Sequence, residues 1–283
     1  VHRVQLCKLL DRSGNCRVGL VEAGAVRLMR GPQQLAEILQ FPDTARLARS
    51  LLEPQAQPIP LSDAVLLPPV DAQEVWAAGV TYVRSKAARE RESQGAARFY
   101  DLVYTAPRPE LFFKSTASRV VGPGRPIRVR RDSRWTVPEP ELAVVVAPDR
   151  RIVGFTIGND MSARDIEGEN PLYLPQAKVY DGSCALGPVV TLAGFLPPAD
   201  QTTIRLTIRR GATTAFDGAT TLAAMARPLD ELLAWLGREK SFPDGVILLT
   251  GTGVVPPDDF ALQNGDEVAI EISGIGRLCN PVA

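Results

Sequence analysis

The chain has 283 residues, 45% hydrophobic and 23% charged, the profile of an ordinary globular protein with one large domain or one plus a small appendage. Thirty-two basic residues balance thirty-two acidic ones, so no net field draws it to nucleic acid or to a membrane surface. The sole histidine, His2, argues against Ser-His-Asp triads, Cys-His pairs and histidine-rich metal sites; acid–base work falls to carboxylates, lysine, tyrosine or a metal.

In chain order, residues 1–30 read as short strands around the turn Asp11-Arg12-Ser13-Gly14-Asn15. Residues 33–53 carry Leu35, Ile38, Leu39, Leu47, Leu51 and Leu52 at helical spacing, interrupted at Pro42. The proline-rich stretch 54–69 predicts an extended connector with a short strand through Val65, Leu66 and Leu67. A boundary there divides a small N-terminal α+β domain, residues 1–70, from a catalytic domain, residues 71–283.

Beyond the boundary, short β-type runs fall at 75–80, 111–113, 127–129, 142–147, 152–157, 189–192, 204–208, 246–249 and 268–272. One amphipathic helix, 229–236, interrupts them, with Pro228 suited to its first turn. The pattern predicts a mixed, β-rich fold, barrel-like or a folded sandwich. Residues 84–95, dense in charge, read equally as a solvated helix or a flap over a site. Arg125, Arg128, Arg130, Arg131 and Arg134 read as a solvated strand face and its flanks in preference to a phosphate-binding patch. Cys7, Cys16, Cys184 and Cys279 form no C-x-x-C pair, so zinc-finger and thioredoxin-like readings fail. With no signal-peptide pattern and no apolar run of roughly eighteen residues, the expected location is the cytoplasm.

Pro138-Glu139-Pro140-Glu141-Leu142 leads into an apolar strand, and residues two apart on an extended chain share a face. A hairpin turning about Asp149 and Arg150 sets Glu139 opposite Asp160 and Glu141 opposite Gly158. Three carboxylates at one end of a hairpin repel unless a cation neutralises them, and oxygen ligands without histidine or thiolate select Mg²⁺, Mn²⁺ or Ca²⁺. The competing reading, surface acids paired with nearby arginines, stands level with this one on spacing alone. Lys178 is either a surface lysine or a base made usable by burial near a cation. Thr250-Gly251-Thr252-Gly253 is either a plain turn or a cradle for a substrate carboxylate.

Several runs occur in a telling order: Glu139-Pro140-Glu141-Leu142, Asn159-Asp160-Met161-Ser162-Ala163-Arg164-Asp165, Lys178 with Asp181, Gly187-Pro188 and Gly251-Thr252. Over roughly residues 74–282 the chain thus resembles the fumarylacetoacetate hydrolase family. The resemblance implies a β-rich, barrel-like catalytic domain of that type, a Mg²⁺ or Mn²⁺ site and a homodimer or higher homo-oligomer. It makes Glu139, Glu141 and Asp160 metal ligands and Lys178 a catalytic residue, with Glu167 and Thr252 facing the substrate.

The chain also departs from the family. Many members carry G-x-N-Y-x-x-H, whose histidine activates water for carbon–carbon hydrolysis. Here the stretch is Gly79-Val80-Thr81-Tyr82-Val83-Arg84-Ser85, with serine at the histidine position. Tyr82 and Ser85 are expected to face the substrate, without that hydrolysis. A branch of the family that dehydrates 2-keto-3-deoxy-D-arabinonate shares the departure. The chain resembles it in Arg108-Pro109-Glu110-Leu111-Phe112-Phe113-Lys114, in Trp135 to Leu142 and in Glu169-Asn170-Pro171-Leu172-Tyr173-Leu174-Pro175-Gln176. Glu110 thereby becomes a second catalytic group beside Lys178. The expected activity is dehydration of a 2-keto-3-deoxy pentonate to 2,5-dioxopentanoate through a metal-stabilised enolate, with Lys178 and Glu110 sharing the proton transfers in either order. Two alternatives stay open: another 2-keto acid lyase or hydrolase of the family, such as an oxaloacetate decarboxylase or acylpyruvate hydrolase, and a non-catalytic metal- and keto-acid-binding protein. Residues 84–104 are expected to sense the substrate's length and its C4 configuration.

Overall fold

The turn at Asp11 closes a hairpin between β1 (Gln5–Leu10) and β2 (Cys16–Glu22), with the Asp11 carboxylate accepting from the Ser13 and Asn15 N–H groups. The computed structural model describes residues 3–31, 34–82, 103 and 105–283. Next comes β3 (Ala25–Leu28). Helices α1 (Leu35–Leu39) and α2 (Thr44–Ser50) flank Pro42, and Asp43 caps α2 by accepting from Arg46 N–H at 3.0 Å. Strands β4 (Ile59–Pro60) and β5 (Val65–Leu67) complete the N-terminal region.

The rest of the chain supplies β6 (Glu74–Gly79), β7 (Glu110–Ser115), β8 (Thr136–Val137), β9 (Pro140–Val146), β10 (Ile152–Asp160) and β11 (Ser162–Ala163). Two short helices follow, α3 (Arg164–Glu169) and α4 (Leu174–Lys178), then β12 (Cys184–Leu192), β13 (Thr203–Arg210) and β14 (Thr213–Thr221). Helix α5 (Leu229–Leu236), β15 (Val246–Leu249), β16 (Asp266–Ile272) and β17 (Gly276–Pro281) end it.

The fold is mixed and β-rich. Among the described residues an 11-stranded sheet runs β4-β3-β2-β1-β12-β10-β9-β15-β6-β7, with β5 also on β1; β15 and β6 pair in parallel and its other strand pairs are antiparallel. The N-terminal strands are therefore hydrogen-bonded into the same sheet as the strands that follow. A four-stranded antiparallel sheet, β14-β13-β16-β17, packs against it. Leu142 and Val144 from β9, Phe155 and Ile157 from β10, and Leu206, Ile208, Val268 and Ile270 from the smaller sheet share one core. The opposite face of β9 is buried too, with Ala143 beside Ile247 and Leu249, and Val145 beside Val153 and Leu20. Burial on both faces explains why β9 reads as a continuous apolar run, whereas β13, wet on one face, alternates.

Some expectations need correction. Residues 127–129 form no strand; Ile127 makes an isolated parallel bridge to Val282, and its N–H donates to Pro281 O. The stretch from Arg125 to Arg134 is accordingly coil and turn, not a strand face. Pro228 is the N-cap of α5, one residue before its first turn. Strands β14 and β17, and helices α3 and α4, carried no readable signal: β14 is polar and half-exposed, and the two helices are too short for an apolar period. Ser85 and nearly all of 84–104 lie outside the described residues.

Candidate functional site

The β9–β10 hairpin has the anticipated register: Glu141 pairs with Gly158, Asn159 with Pro140, and the Asp160 N–H donates to Glu139 O at 3.0 Å. The register shift lies at the other end, between Ile152 and Gly154, where the turn begins. Glu139, Glu141 and Asp160 are all buried, and each offers a carboxylate oxygen within 4.8 Å of the others'. Gly158 leaves room for the Leu249 side chain of β15: a Cβ there would overlap Leu249 Cδ2.

Among the described residues, three cations lie against this trio. Lys178, the last residue of α4, is fully buried; its Nζ donates to Glu139 Oε2 at 2.6 Å and Asp160 Oδ2 at 2.9 Å. Arg164 opens α3 and donates to Glu139 Oε1 at 2.6 Å. Lys114, also fully buried, comes from β7; its Nζ lies 2.5 Å from Asp160 Oδ1 and donates to the Met161 carbonyl at 3.0 Å and the Lys178 carbonyl at 2.5 Å. A register shift opposite Val75 and Trp76 falls at Lys114, a device that re-aims a side chain.

Glu141 accepts from the Gly251 N–H at 2.6 Å. Gly251 has φ +87°, and a Cβ there would overlap Thr81 Oγ1, whose hydroxyl donates to Thr250 O at 2.6 Å. Glycine is required at this close approach. Burial, then the charges of Asp160 and Glu139, raise the Glu141 pKa well above the carboxylate range; Lys178 and the Gly251 N–H only partly oppose them. A buried, repelling trio of hard oxygen donors fits a divalent cation of the Mg²⁺ class.

The other expected residues are placed as follows. Tyr82 is buried, and its phenol is held protonated first by burial and then by the Glu141 charge, which puts it beside the trio. Glu110 pairs across from Gly79, where a Cβ would overlap its carboxylate. It shares a strand face with Phe112, whose ring centroid is 5.7 Å from Lys178 Nζ. Glu167 accepts from Ser162 Oγ at 2.7 Å, one turn along α3 from Arg164. Thr252 follows Gly251, but its hydroxyl donates to Val254 O at 3.0 Å within the turn. Asp181 faces outward, 77% exposed, against Arg119.

Sequence reasoning assigned no role to Lys114 or Arg164. Both stand inside the quoted motifs, which was the available signal; the bulge at Lys114 breaks the alternation that starts at Glu110.

Comparison with known proteins places the chain in a family. A model of the fumarylacetoacetate (FAA) hydrolase C-terminal family matches residues 74–283. A probable 2-keto-3-deoxyxylonate dehydratase of Haloferax volcanii is 51% identical over 214 residues, 76% of this chain and 73% of that protein. A 2-dehydro-3-deoxy-D-arabinonate dehydratase of Saccharolobus solfataricus is 45% identical over 228 residues, 78% of this chain and 76% of that one. A solved structure of 2-keto-3-deoxy-D-arabinonate dehydratase complexed with magnesium and 2,5-dioxopentanoate superposes with TM-score 0.82 at 36% identity, covering 98% of each chain. The chain belongs to the fumarylacetoacetate hydrolase family.

Proposed function

We propose that this chain is a Mg²⁺- or Mn²⁺-dependent hydro-lyase that converts a 2-keto-3-deoxy pentonate to 2,5-dioxopentanoate. The observation that carries the reading is the buried Lys178 amino group set between Glu139 and Asp160, in a chain with a single histidine at position 2. Two relatives at 51% and 45% identity, both named as dehydratases of such acids, support it.

Glu139, Glu141 and Asp160 would hold the metal, which supplies a Lewis acid for the substrate's C1 carboxylate and C2 keto oxygen. Lys178, as the neutral amine, would take the C3 proton at its Nζ. Glu110 donates a proton to the C4 hydroxyl, the C4–O bond breaks and water leaves, giving a C3–C4 alkene. Loss of a C5 proton and protonation at C3 give the 5-enol, which takes a proton at C4 and releases its C5 hydroxyl proton to become the aldehyde. The Phe112 ring beside Lys178 keeps the amine side of the site dry. Tyr82, Glu167 and the Thr252 turn line the substrate's position, with Ser85 assigned by the family resemblance.

The test is incubation with 2-keto-3-deoxypentonates and Mg²⁺, following semialdehyde formation, beside a panel of 2-keto acids assayed for CO₂ and acid release. Semialdehyde from the pentonates alone is the expected outcome. Oxaloacetate decarboxylation or acylpyruvate cleavage would replace the dehydratase reading, and full activity after exhaustive chelation would remove the metal. Lys178→Met should lower turnover by about 10³-fold or more while Mg²⁺ binding persists.

A further inference from the structure

Glu110 is the first residue of β7, so its placement depends on the chain that leads into the strand. That approach has little torsional freedom. Pro107 and Pro109 have their φ angles locked by their rings, and Ala106 and Arg108 each precede a proline, which disfavours the helical region for them. A displacement at residue 106 is therefore passed along residues 106–110 to Glu110.

Two side chains beside and within α5 hold this approach. Arg227, which is buried, donates from one guanidinium nitrogen to the Val103 carbonyl at 2.8 Å and the Ala106 carbonyl at 2.6 Å. Its other terminal nitrogen donates at 2.6 Å to Glu231 of α5. One turn further along the helix, the Trp235 ring lies under the Arg108 guanidinium, 4.5 Å from its centroid. The residues next to Arg227 hold the neighbouring strand: the Ala226 N–H donates to Thr81 O at 2.7 Å, and Met225 forms a bridge with Tyr82. That strand, β6, supplies Gly79, where a Cβ would lie 2.0 Å from Glu110 Oε2.

We infer that Arg227 is a positioning residue for the dehydration: it fixes the approach to β7 so that the Glu110 carboxyl stands ready to protonate the C4 hydroxyl. The inference rests on the reading of Glu110 as the acid of that reaction. A guanidinium suits the task, because its planar fork spans two carbonyls and a carboxylate at once, which the point charge of an ammonium does not reproduce. Trp235 assists through Arg108, more weakly, since Arg108 is exposed.

The experiment separates the two proton transfers in the full chain with Mg²⁺. Semialdehyde formation from a 2-keto-3-deoxypentonate needs both the base and the acid. Exchange of the C3 hydrogens of 2-oxobutanoate into D₂O, followed by NMR, needs only the base, because that acid has no C4 hydroxyl. Arg227→Gln should lower kcat for semialdehyde by about 10²-fold, the effect of a misplacement on the order of 1 Å, with KM within about threefold of wild type and exchange unchanged. Arg227→Lys should recover about tenfold of that loss, and Trp235→Leu should lower kcat by only about threefold. The deciding protein combines Arg227→Gln with Glu110→Gln. Because Arg227 acts through Glu110, it should be no slower than Glu110→Gln alone. Losses that multiply in the combination overturn the inference, as does exchange that falls in step with dehydration in Arg227→Gln; Arg227 would then be a structural cation only. Should Arg227→Gln fail to fold, Trp235→Leu combined with Glu110→Gln puts the same question. A wild type that makes no semialdehyde removes the dehydratase reading and this inference with it, whereas multiplying losses in an active enzyme remove the inference alone.

Discussion

At the end of β10 three buried carboxylates crowd together, whereas on β16 the buried Asp266 stands alone against one guanidinium. Asp266 accepts from Arg210 Nε and from a second guanidinium nitrogen, both at 2.8 Å, and from the Gln263 N–H at 2.9 Å. Burial works against its charge, but the Arg210 fork and the Gln263 N–H prevail and hold its pKa below the ordinary value. At Glu141 the balance reverses, since burial and two carboxylate neighbours outweigh one lysine and one backbone N–H. The same side-chain chemistry thus stabilises the fold in one place and stores repulsion in the other. A carboxylate arranged to be content contributes to stability, and one arranged to be discontented is waiting for a ligand.

Glu141→Gln gives the largest contrast. In the presence of Mg²⁺, turnover should fall by about 10³-fold, because a ligand carboxylate is lost. In the metal-free protein the same change should raise the melting temperature. The sign follows from linkage: with the folded pKa raised, the native state binds more protons than the unfolded one above about pH 4.3. Wild-type stability therefore declines as pH rises from there toward the folded value, and the glutamine variant escapes that decline. Melting curves of both proteins without metal should converge at low pH and separate as pH rises. Curves that stay parallel would mean that the trio is not in repulsion.

Gly251→Ala attacks the same centre from behind. It places a Cβ against Thr81 Oγ1 at a backbone position with φ +87°, and it pushes away the N–H that Glu141 uses. A loss of about 3 kcal/mol in chemical denaturation is expected, from overlap and backbone strain together. Thr81→Ala in the same chain should recover part of it by clearing the overlap, while Gly251→Ala alone also weakens Mg²⁺ binding.

How much of this was legible beforehand depends on sequence distance. Glu139, Glu141 and Asp160 belong to one hairpin, whose turn at Asp149 and Arg150 and alternation fix the register, so their meeting could be worked out from spacing. Lys178 joins them only because α3 and α4 fold back, and neither helix is long enough to show an apolar face. Lys114 comes from a strand two places beyond β15 in the sheet, and its aim depends on a register shift that no local pattern announces. The family resemblance supplied Lys178; it assigned nothing to Lys114. Asp266 could not have been ranked above other acids, because its partner Arg210 lies on β13, joined to it by a pairing that sequence does not specify.

Asp266 supplies the smaller, complementary prediction. Asp266→Asn keeps the shape and removes the charge, so the Arg210 fork loses most of its strength. Hydrogen bonds to charged groups contribute about 1.5–3 kcal/mol, and solvent reaching the Arg210 guanidinium lowers the expectation to about 1–2 kcal/mol. Because the folded pKa is depressed, this contribution is fully present above the unfolded value, near pH 3.9, and is lost as pH falls through the folded value. The stability gap between wild type and variant should therefore close on acidification as at Glu141, but with the opposite sign, the wild type being the more stable here, and Mg²⁺ affinity should not move. Arg205→Gln, which removes an exposed pair with Asp217 on the neighbouring strand, is the reference point, with no measurable change in melting temperature expected at physiological salt. If Asp266→Asn behaved like Arg205→Gln, burial with a matched partner would carry no weight in this sheet, and the opposition between the two carboxylate sites would reduce to the trio alone.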